Sequence, residues 1–224
     1  QLEQELGMQL PGACIAGSLE QVRAAASLCS PLLVKAPFGV SGRERVEIRD
    51  GRWDARVEGW LVSQLKASRL ICEPRVEITR DLSFQFEILD SGDVEFLGWS
   101  TLLTDKRGQH RGHLREPGLP PACLQEASAA VERVAKAGYW GPVGVDSFLG
   151  ELDGEAVVRP LCEINARMTF GRLALELFNT LEWDEVMYWW HPSARRRKSL
   201  DVQEPVRPNS VSGLYLLPER VDPD

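Results

Sequence analysis

The spacing of apolar positions changes several times along this chain, and the changes outline its elements. Ser18-Leu19-Glu20-Gln21 has the composition of a capping box and opens a predicted helix that runs to about Leu28, where Ser30-Pro31 stops it. Leu32-Leu33-Val34-Lys35 reads as a short apolar strand ending in a cation, and Val46-Glu47-Ile48-Arg49 alternates as a second strand. Asp50-Gly51 marks a tight turn. From about Asp54 to Lys66 the residues Val57, Trp60, Leu61, Val62 and Leu65 recur at helical spacing. Arg69 to Glu73 then reads as another strand, closed by Pro74. The first third thus predicts two helices on a small sheet.

Strands dominate the rest of the chain. Leu82 to Leu89 alternates cleanly, Asp90-Ser91-Gly92-Asp93 turns the chain, and Val94 to Leu103 reads as the hairpin partner. Thr104 to Arg115 is polar, basic and glycine-containing, and is expected to be a loop. Pro120 to Ala137 places Leu124, Ala127, Ala130, Val131 and Val134 on one helical face. Val143 to Leu149 and Glu155 to Asn165 are expected to pair around a turn at Asp153-Gly154, and Arg172 to Phe178 reads as a helix. Val211 to Leu217 reads as a closing strand, Arg195 to Lys198 as a solvated loop, and Trp189-Trp190 as packing. The fold class is α+β, with the sharpest boundary just after Cys72-Glu73-Pro74.

Composition narrows the partners. At 224 residues, with 43% hydrophobic and 26% charged positions, the chain is an ordinary globular sequence that can bury one large core or two small ones. A formal net charge of −7 argues against a general nucleic-acid binder, since phosphate backbones attract an excess of Lys and Arg. No apolar run approaches the roughly 18–20 residues of a membrane span, and no secretory signal opens the chain. Cysteines 14, 29, 72, 123 and 162 form no C-x-x-C pair and are expected to be buried free thiols of a reducing, cytoplasmic compartment. The H-x-x-H pair, His110 and His113, has no cysteine or histidine at zinc spacing to complete it. Gln1 in place of a methionine suggests a piece of something longer.

Candidate chemistry concentrates in Leu161-Cys162-Glu163-Ile164-Asn165-Ala166-Arg167-Met168, behind Gly144-Val145-Asp146. Side chains alternate along a strand, so Glu163, Asn165 and Arg167 are expected to leave one face of an extended segment. Two oxygen ligands, a second carboxylate and a guanidinium suit Mg²⁺ and the phosphates it carries, because hard cations take oxygen and Arg pairs with phosphate in a planar fork. The same letters also suit an edge strand showing polar residues to water. Lys35 precedes a turn-rich segment whose Gly39 and Gly42 permit close backbone approach to an anion, although a plain turn would use the same residues. No Walker A sequence and no G-x-G-x-x-G is present.

Taken in order, Val34-Lys35-Ala36-Pro37…Gly39-x-x-Gly42, Ile71-Cys72-Glu73-Pro74-Arg75-Val76…Asp81-Leu82-Ser83, Gly144-Val145-Asp146 and Glu163-Ile164-Asn165-Ala166-Arg167 resemble the ATP-grasp superfamily over about residues 8 to 171. The resemblance implies two α+β lobes, a smaller one over 1–77 and a larger one over 78–224, with the nucleotide between their sheets. It implies that Lys35 contacts the α/β-phosphates and that the loop with Gly39, Ser41 and Gly42 closes over the β/γ-phosphates. Glu73, Arg75 and Val76 would border adenine, and Asp81, with Glu77 as its rival, would accept from the ribose. Asp146, Glu163 and Asn165 would hold Mg²⁺, and Arg167 would sit near the transferred phosphoryl group.

The activity implied is ATP-dependent ligation: a small-molecule carboxylate becomes an acyl phosphate that an amine attacks, with Lys35 and Arg167 as catalytic cations. A carboxylase- or kinase-type member, and a non-catalytic or partial ATP-binding module, remain alternatives. The family's usual substrate domain ahead of the nucleotide lobes is absent from these 224 residues, so a missing N-terminal domain or a second copy in a homo-oligomer is an implied partner. Lys106, Arg107, Arg111 and Arg115 lie where members of the family place cationic substrate contacts.

Overall fold

The computed structural model describes residues 2–37, 44–104, 110–115, 123–180 and 188–190. They fall into two compact units, one of residues 9–77 with 150–157, the other of 1–8 and 78–149 with the described residues from 158 onward.

In the first unit, β1 (Cys14–Ala16), β2 (Leu32–Lys35), β3 (Arg45–Ile48) and β4 (Leu70–Pro74) form a four-stranded sheet in the order β1-β4-β2-β3. Each neighbouring pair is antiparallel. Two helices cover it, α2 (Leu19–Leu28) and α3 (Ala55–Ala67). Ser18 and Asp54 start these helices by accepting hydrogen bonds from the Gln21 and Val57 amides, which would otherwise be orphaned in the first turn. The Gln21 side chain reaches back to the Gly17 amide at 2.6 Å, one residue ahead of the usual capping-box partner. Val22, Ala25 and Ala26 of α2 and Leu61 of α3 pack on Ala16, Leu32, Val34, Ile48, Leu70 and Cys72. Asp50 and Gly51 both have φ near +60°, and with the Arg49–Arg52 bridge they make the tight turn expected of Asp-Gly.

The second unit holds a six-stranded sheet with α1 (Leu2–Glu5), α4 (Leu124–Lys136) and α5 (Phe170–Thr180). Its strands are β5 (Glu77–Ile88), β6 (Val94–Thr104), β7 (His110–Leu114), β8 (Gly141–Leu152), β9 (Glu155–Asn165) and β10 (Tyr188–Trp190), ordered β10-β7-β6-β5-β8-β9. Residues 150–157, the tip of the β8–β9 hairpin, belong to the first unit. One face of β5 sends Leu82, Phe84, Phe86 and Ile88 into a core closed by Ala127, Ala130 and Val131 of α4 and by Val143, Val145 and Leu161. Gly98, at φ +145°, sits where an added Cβ would come 3.1 Å from the Leu175 side chain of α5, so a residue there would be strained in its backbone and would make that side chain shift. The β5–β6 register slips between Gln85 and Phe86, a bulge in the middle of the strand.

Four expectations change. The 104–115 stretch is not wholly a loop: β7 pairs with β6 and β10, because strand hydrogen bonds come from neighbours and do not require an apolar pattern. The strand through Glu163 stops at Asn165, so Arg167 follows it in a turn. Leu161 and Ile164, of opposite parity, both pack on the same core, so strict alternation breaks between them. All five cysteines are free as expected, but Cys14 and Cys162 are exposed and Cys29 is only partly buried. Residues 195–198 and 211–217 lie outside the described residues.

Candidate functional site

Strand alternation on β5 and β8 assembles the site in the second unit. While Leu82, Phe84, Phe86, Val143 and Val145 fill the core, Asp81, Ser83 and Gln85 face the other way, as does Asp146. The Ser83 hydroxyl donates to Asp146 Oδ1 at 2.9 Å, and Asn165 Nδ2 donates to Asp146 Oδ2 at 3.4 Å. Arg167 reaches back to Asn165 Oδ1 at 2.9 Å, helped by a tight turn in which its amide bonds the Asn165 carbonyl at 2.8 Å. The structure therefore brings Asp146, Asn165 and Arg167 into one bonded series.

The electrostatics show why these groups matter together. Asp146 is partly buried as a residue, burial of its carboxyl group pushes its pKa up to about 7, and the charges of Glu163 and Asp81 push the same way. The Ser83 hydrogen bond and the Arg167 charge oppose this shift without reversing it. Asp81 accepts from Thr104 Oγ1 at 3.1 Å, and through its field it belongs with the other two carboxylates. A partly buried carboxylate among like charges is stabilised by a cation. The donors on offer, two carboxylates and an amide oxygen, are the oxygens that a hard divalent ion prefers. Among the described residues, no three His, Cys, Asp or Glu side chains are grouped to hold a metal by themselves. A cation here would need Asn165 and oxygens of its own ligand.

In the first unit, Lys35 ends β2 and forms an ion pair with Glu73 of β4. The pairing follows from register: Lys35 faces Ile71 and Leu33 faces Glu73, which makes Lys35 and Glu73 diagonal neighbours. Glu73 is buried, at 2% exposure, while the Lys35 side chain retains 24%. After β4, the Arg75 amide bonds the Pro31 carbonyl at 2.9 Å, its guanidinium lies 3.5 Å from Glu47, and Val76 is buried. Gly39, Ser41 and Gly42 fall outside the described residues, as do Lys106 and Arg107. The Arg111 side chain is likewise not described, and Arg115 donates to the Phe178 carbonyl at 3.0 Å.

Three polar residues of this neighbourhood have no role assigned from the sequence, Ser83 standing in the Asp81-Leu82-Ser83 run without one. Ser83, Gln85 and Thr169 connect to Asp146 by hydrogen bonds. The available signal is Ser83-Phe84-Gln85-Phe86, where polar residues alternate with aromatics in a strand that is buried on both faces. His113 is likewise buried, against Ser100 Oγ at 3.0 Å, and burial together with His110 drives its pKa down to about 3.

No family model matches the chain. Among solved structures it is similar to the biotin carboxylase domain of Hydrogenobacter thermophilus 2-oxoglutarate carboxylase, with 20% identity and a TM-score of 0.62, over 79% of this chain and 40% of that one. Campylobacter jejuni biotin carboxylase gives 18% identity and a TM-score of 0.58, over 79% and 41%. Staphylococcus aureus N5-carboxyaminoimidazole synthetase, solved with ADP, gives 16% and 0.56, over 75% and 43%. The chain thus spans about two fifths of the length of these proteins. Identities this low speak for a shared fold.

Proposed function

We infer from the ATP-grasp fold of this chain that it binds ATP with Mg²⁺ and activates a carboxylate for attack by an amine. One observation carries the reading: Asp146, Asn165 and Arg167 form a bonded series in which the carboxylate stands in the fields of Glu163 and Asp81. In this reading Asp146, Glu163 and Asn165 hold Mg²⁺, whose chemistry is to neutralise phosphate charge and polarise the transferred phosphoryl group. Asn165 would turn its carbonyl oxygen from Arg167 to the ion. The guanidinium so released is the right donor for the phosphoryl or acyl-phosphate oxygens.

Lys35 supplies the point charge for the phosphates, and the burial of Glu73 supports that role by holding the ammonium at the strand end. Gly39, Ser41 and Gly42 are assigned to the phosphates, Glu73, Arg75 and Val76 to adenine, and Asp81 to the ribose. The reaction moves the γ-phosphoryl group to a carboxylate oxygen with loss of ADP. The amine then attacks the acyl carbon and phosphate leaves. The protein's share is orientation and charge neutralisation. Recognition of the carboxylate and amine is assigned to a further domain or a second subunit.

A carboxylase-type reaction is the second reading, favoured by the bicarbonate present in the H. thermophilus structure. Both readings are tested by release of ADP and phosphate from Mg·ATP against a panel of carboxylic acids and amines, with bicarbonate as one arm. Turnover that needs an organic acid and an amine supports ligation, and turnover with bicarbonate supports the carboxylase. ATP binding without turnover in any arm overturns catalysis and leaves a binding module, and failure to bind ATP overturns both.

A further inference from the structure

A directional run of hydrogen bonds enters the site from α5. The Arg172 amide donates to Thr169 Oγ1 at 3.1 Å, which caps the helix, and that hydroxyl donates to Gln85 Oε1 at 2.7 Å. Gln85 Nε2 donates to Ser83 Oγ at 2.9 Å, and Ser83 donates to Asp146 Oδ1 at 2.9 Å. Each donor of the run meets an acceptor: the Thr169 hydroxyl takes the Arg172 amide and gives its proton to Gln85 Oε1, the Gln85 amide nitrogen faces Ser83, and the Ser83 proton goes to Asp146.

Room for this run is made by two glycines. A Cβ on Gly171 would overlap the Gln85 amide nitrogen, and one on Gly144 would stand 2.8 Å from Thr169 Cγ2 and 3.3 Å from Gln85 Oε1. Gln85 is 1% exposed and Ser83 3%, so water does not compete for these bonds. Thr169 stands two residues after Arg167, so its bond to Gln85 ties the end of the 165–167 turn to β5, from which Ser83 reaches Asp146.

We propose that Gln85, with Thr169 and Ser83, is a positioning relay that fixes the Asp146 carboxylate against the Asn165–Arg167 turn and thereby sets divalent-cation affinity. This rests on the metal-binding reading above. None of the three touches the cation; they act by orienting a residue that does, a kind of support whose loss weakens metal binding by about 10–100-fold.

The test uses Mn²⁺ as probe, titrated into the full chain with and without ADP and followed by the resonance of the free ion. Ser83→Ala and Thr169→Val are each expected to weaken Mn²⁺ binding by about tenfold or more, whereas Thr169→Ser, which keeps both hydroxyl bonds, is expected to stay within a factor of about two to three of the parent protein. Binding of ADP without metal should not change in any of them, a split that general damage to the fold would not produce. Should Thr169→Val not fold, as judged by its thermal midpoint, Ser83→Ala carries the test alone. If the parent binds Mn²⁺ and Asp146→Asn abolishes it, while Ser83→Ala and Thr169→Val bind normally, the relay is overturned and the metal reading stands. If the folded parent binds no Mn²⁺ in either condition, the metal reading falls and takes the relay with it.

Discussion

Glu73 and Asp146 are both carboxylates withdrawn from water, one in each compact unit, and their surroundings differ. Glu73 meets the ammonium of Lys35, so the chain itself supplies the opposite charge. Asp146 is bonded by the neutral donors Ser83 and Asn165 while Glu163 and Asp81 add charge of its own sign, and the Arg167 charge opposes the resulting shift without reversing it. Burying a charge is costly unless it is paired. The first arrangement is settled within the fold, whereas the second leaves a demand for positive charge that a bound cation would meet. The contrast teaches where an added cation would find a place: in the unit whose electrostatics remain incomplete.

The largest expected effect breaks the incomplete side. Glu163→Ala removes an exposed side chain, so the fold should survive, while Mg·ATP-dependent ADP release should fall by on the order of 10²–10³. Steady-state turnover beside circular dichroism checks both halves, and unchanged turnover would remove Glu163 from the metal set. On the complete side, Lys35→Met strands a buried carboxylate. Breaking a buried pair costs about 3–5 kcal/mol, and the partial exposure of Lys35 lowers the expectation to about 2–3 kcal/mol of unfolding free energy in denaturant melts. Changing both partners, Lys35→Met with Glu73→Gln, should recover most of that loss. A double variant no more stable than Lys35→Met would show that the pair is not the source of the cost.

A pH series sharpens the comparison with a smaller effect. His113 is held near 3 in the fold against about 6.5 when unfolded, so between those values the unfolded chain binds more protons and stability falls as the solution is acidified. Asp146, raised to about 7 from 3.8, has the opposite sign: the folded state binds more protons, so this term loses stability as pH rises through that window. In metal-free protein the two slopes offset each other between about pH 4 and 6.5. Asp146→Asn removes one of them, so the variant should lose stability toward acid more steeply than the parent, by up to about 1.4 kcal/mol per pH unit. Denaturant midpoints from pH 4 to 7 in a chelator provide the measurement. Parallel curves for parent and variant would show that Asp146 is not strained by its surroundings.

Much of this was legible in the sequence where a single period governs a segment. The helices α2 and α3 announced themselves through Ser18, Asp54 and the 57-60-61-65 spacing, and the β5–β6 hairpin through alternation around Asp90-Ser91-Gly92-Asp93. Short elements left no such trace: α1 has four residues, β1 three, and β7 is His-Arg-Gly-His-Leu, held by its neighbours and not by its own pattern. Asp146, Glu163 and Asn165 could be singled out as candidates because they stand in the ordered runs Gly144-Val145-Asp146 and Glu163-Ile164-Asn165-Ala166-Arg167. Gln85 could not, since its surroundings are made by Gly144 of β8, Gly171 of α5 and Thr169 just ahead of α5. The Lys35–Glu73 pair needed the register of two strands 38 positions apart in sequence, which no local period records.

The smallest expected effect concerns the helix starts of the first unit, where polar groups are satisfied locally. Ser18 accepts from the Gln21 amide at 3.2 Å, while Gln21 Oε1 takes the Gly17 amide at 2.6 Å. The two bonds are separate, so Ser18→Ala frees one donor and leaves the other satisfied. Both groups are solvent-accessible, and water can replace the lost acceptor, which limits the cost to about 0.5–1 kcal/mol. Asp54→Ala removes the corresponding bond to Val57 at 2.8 Å and also a negative charge at the positive end of α3, so it should cost more, about 1–1.5 kcal/mol. Salt distinguishes the two, because only the Asp54 contribution contains a screened charge–dipole part. Denaturant melts at low and high ionic strength should bring the Asp54→Ala loss down toward that of Ser18→Ala, and a gap that persists at high salt would mean that Asp54 acts as a hydrogen-bond acceptor alone.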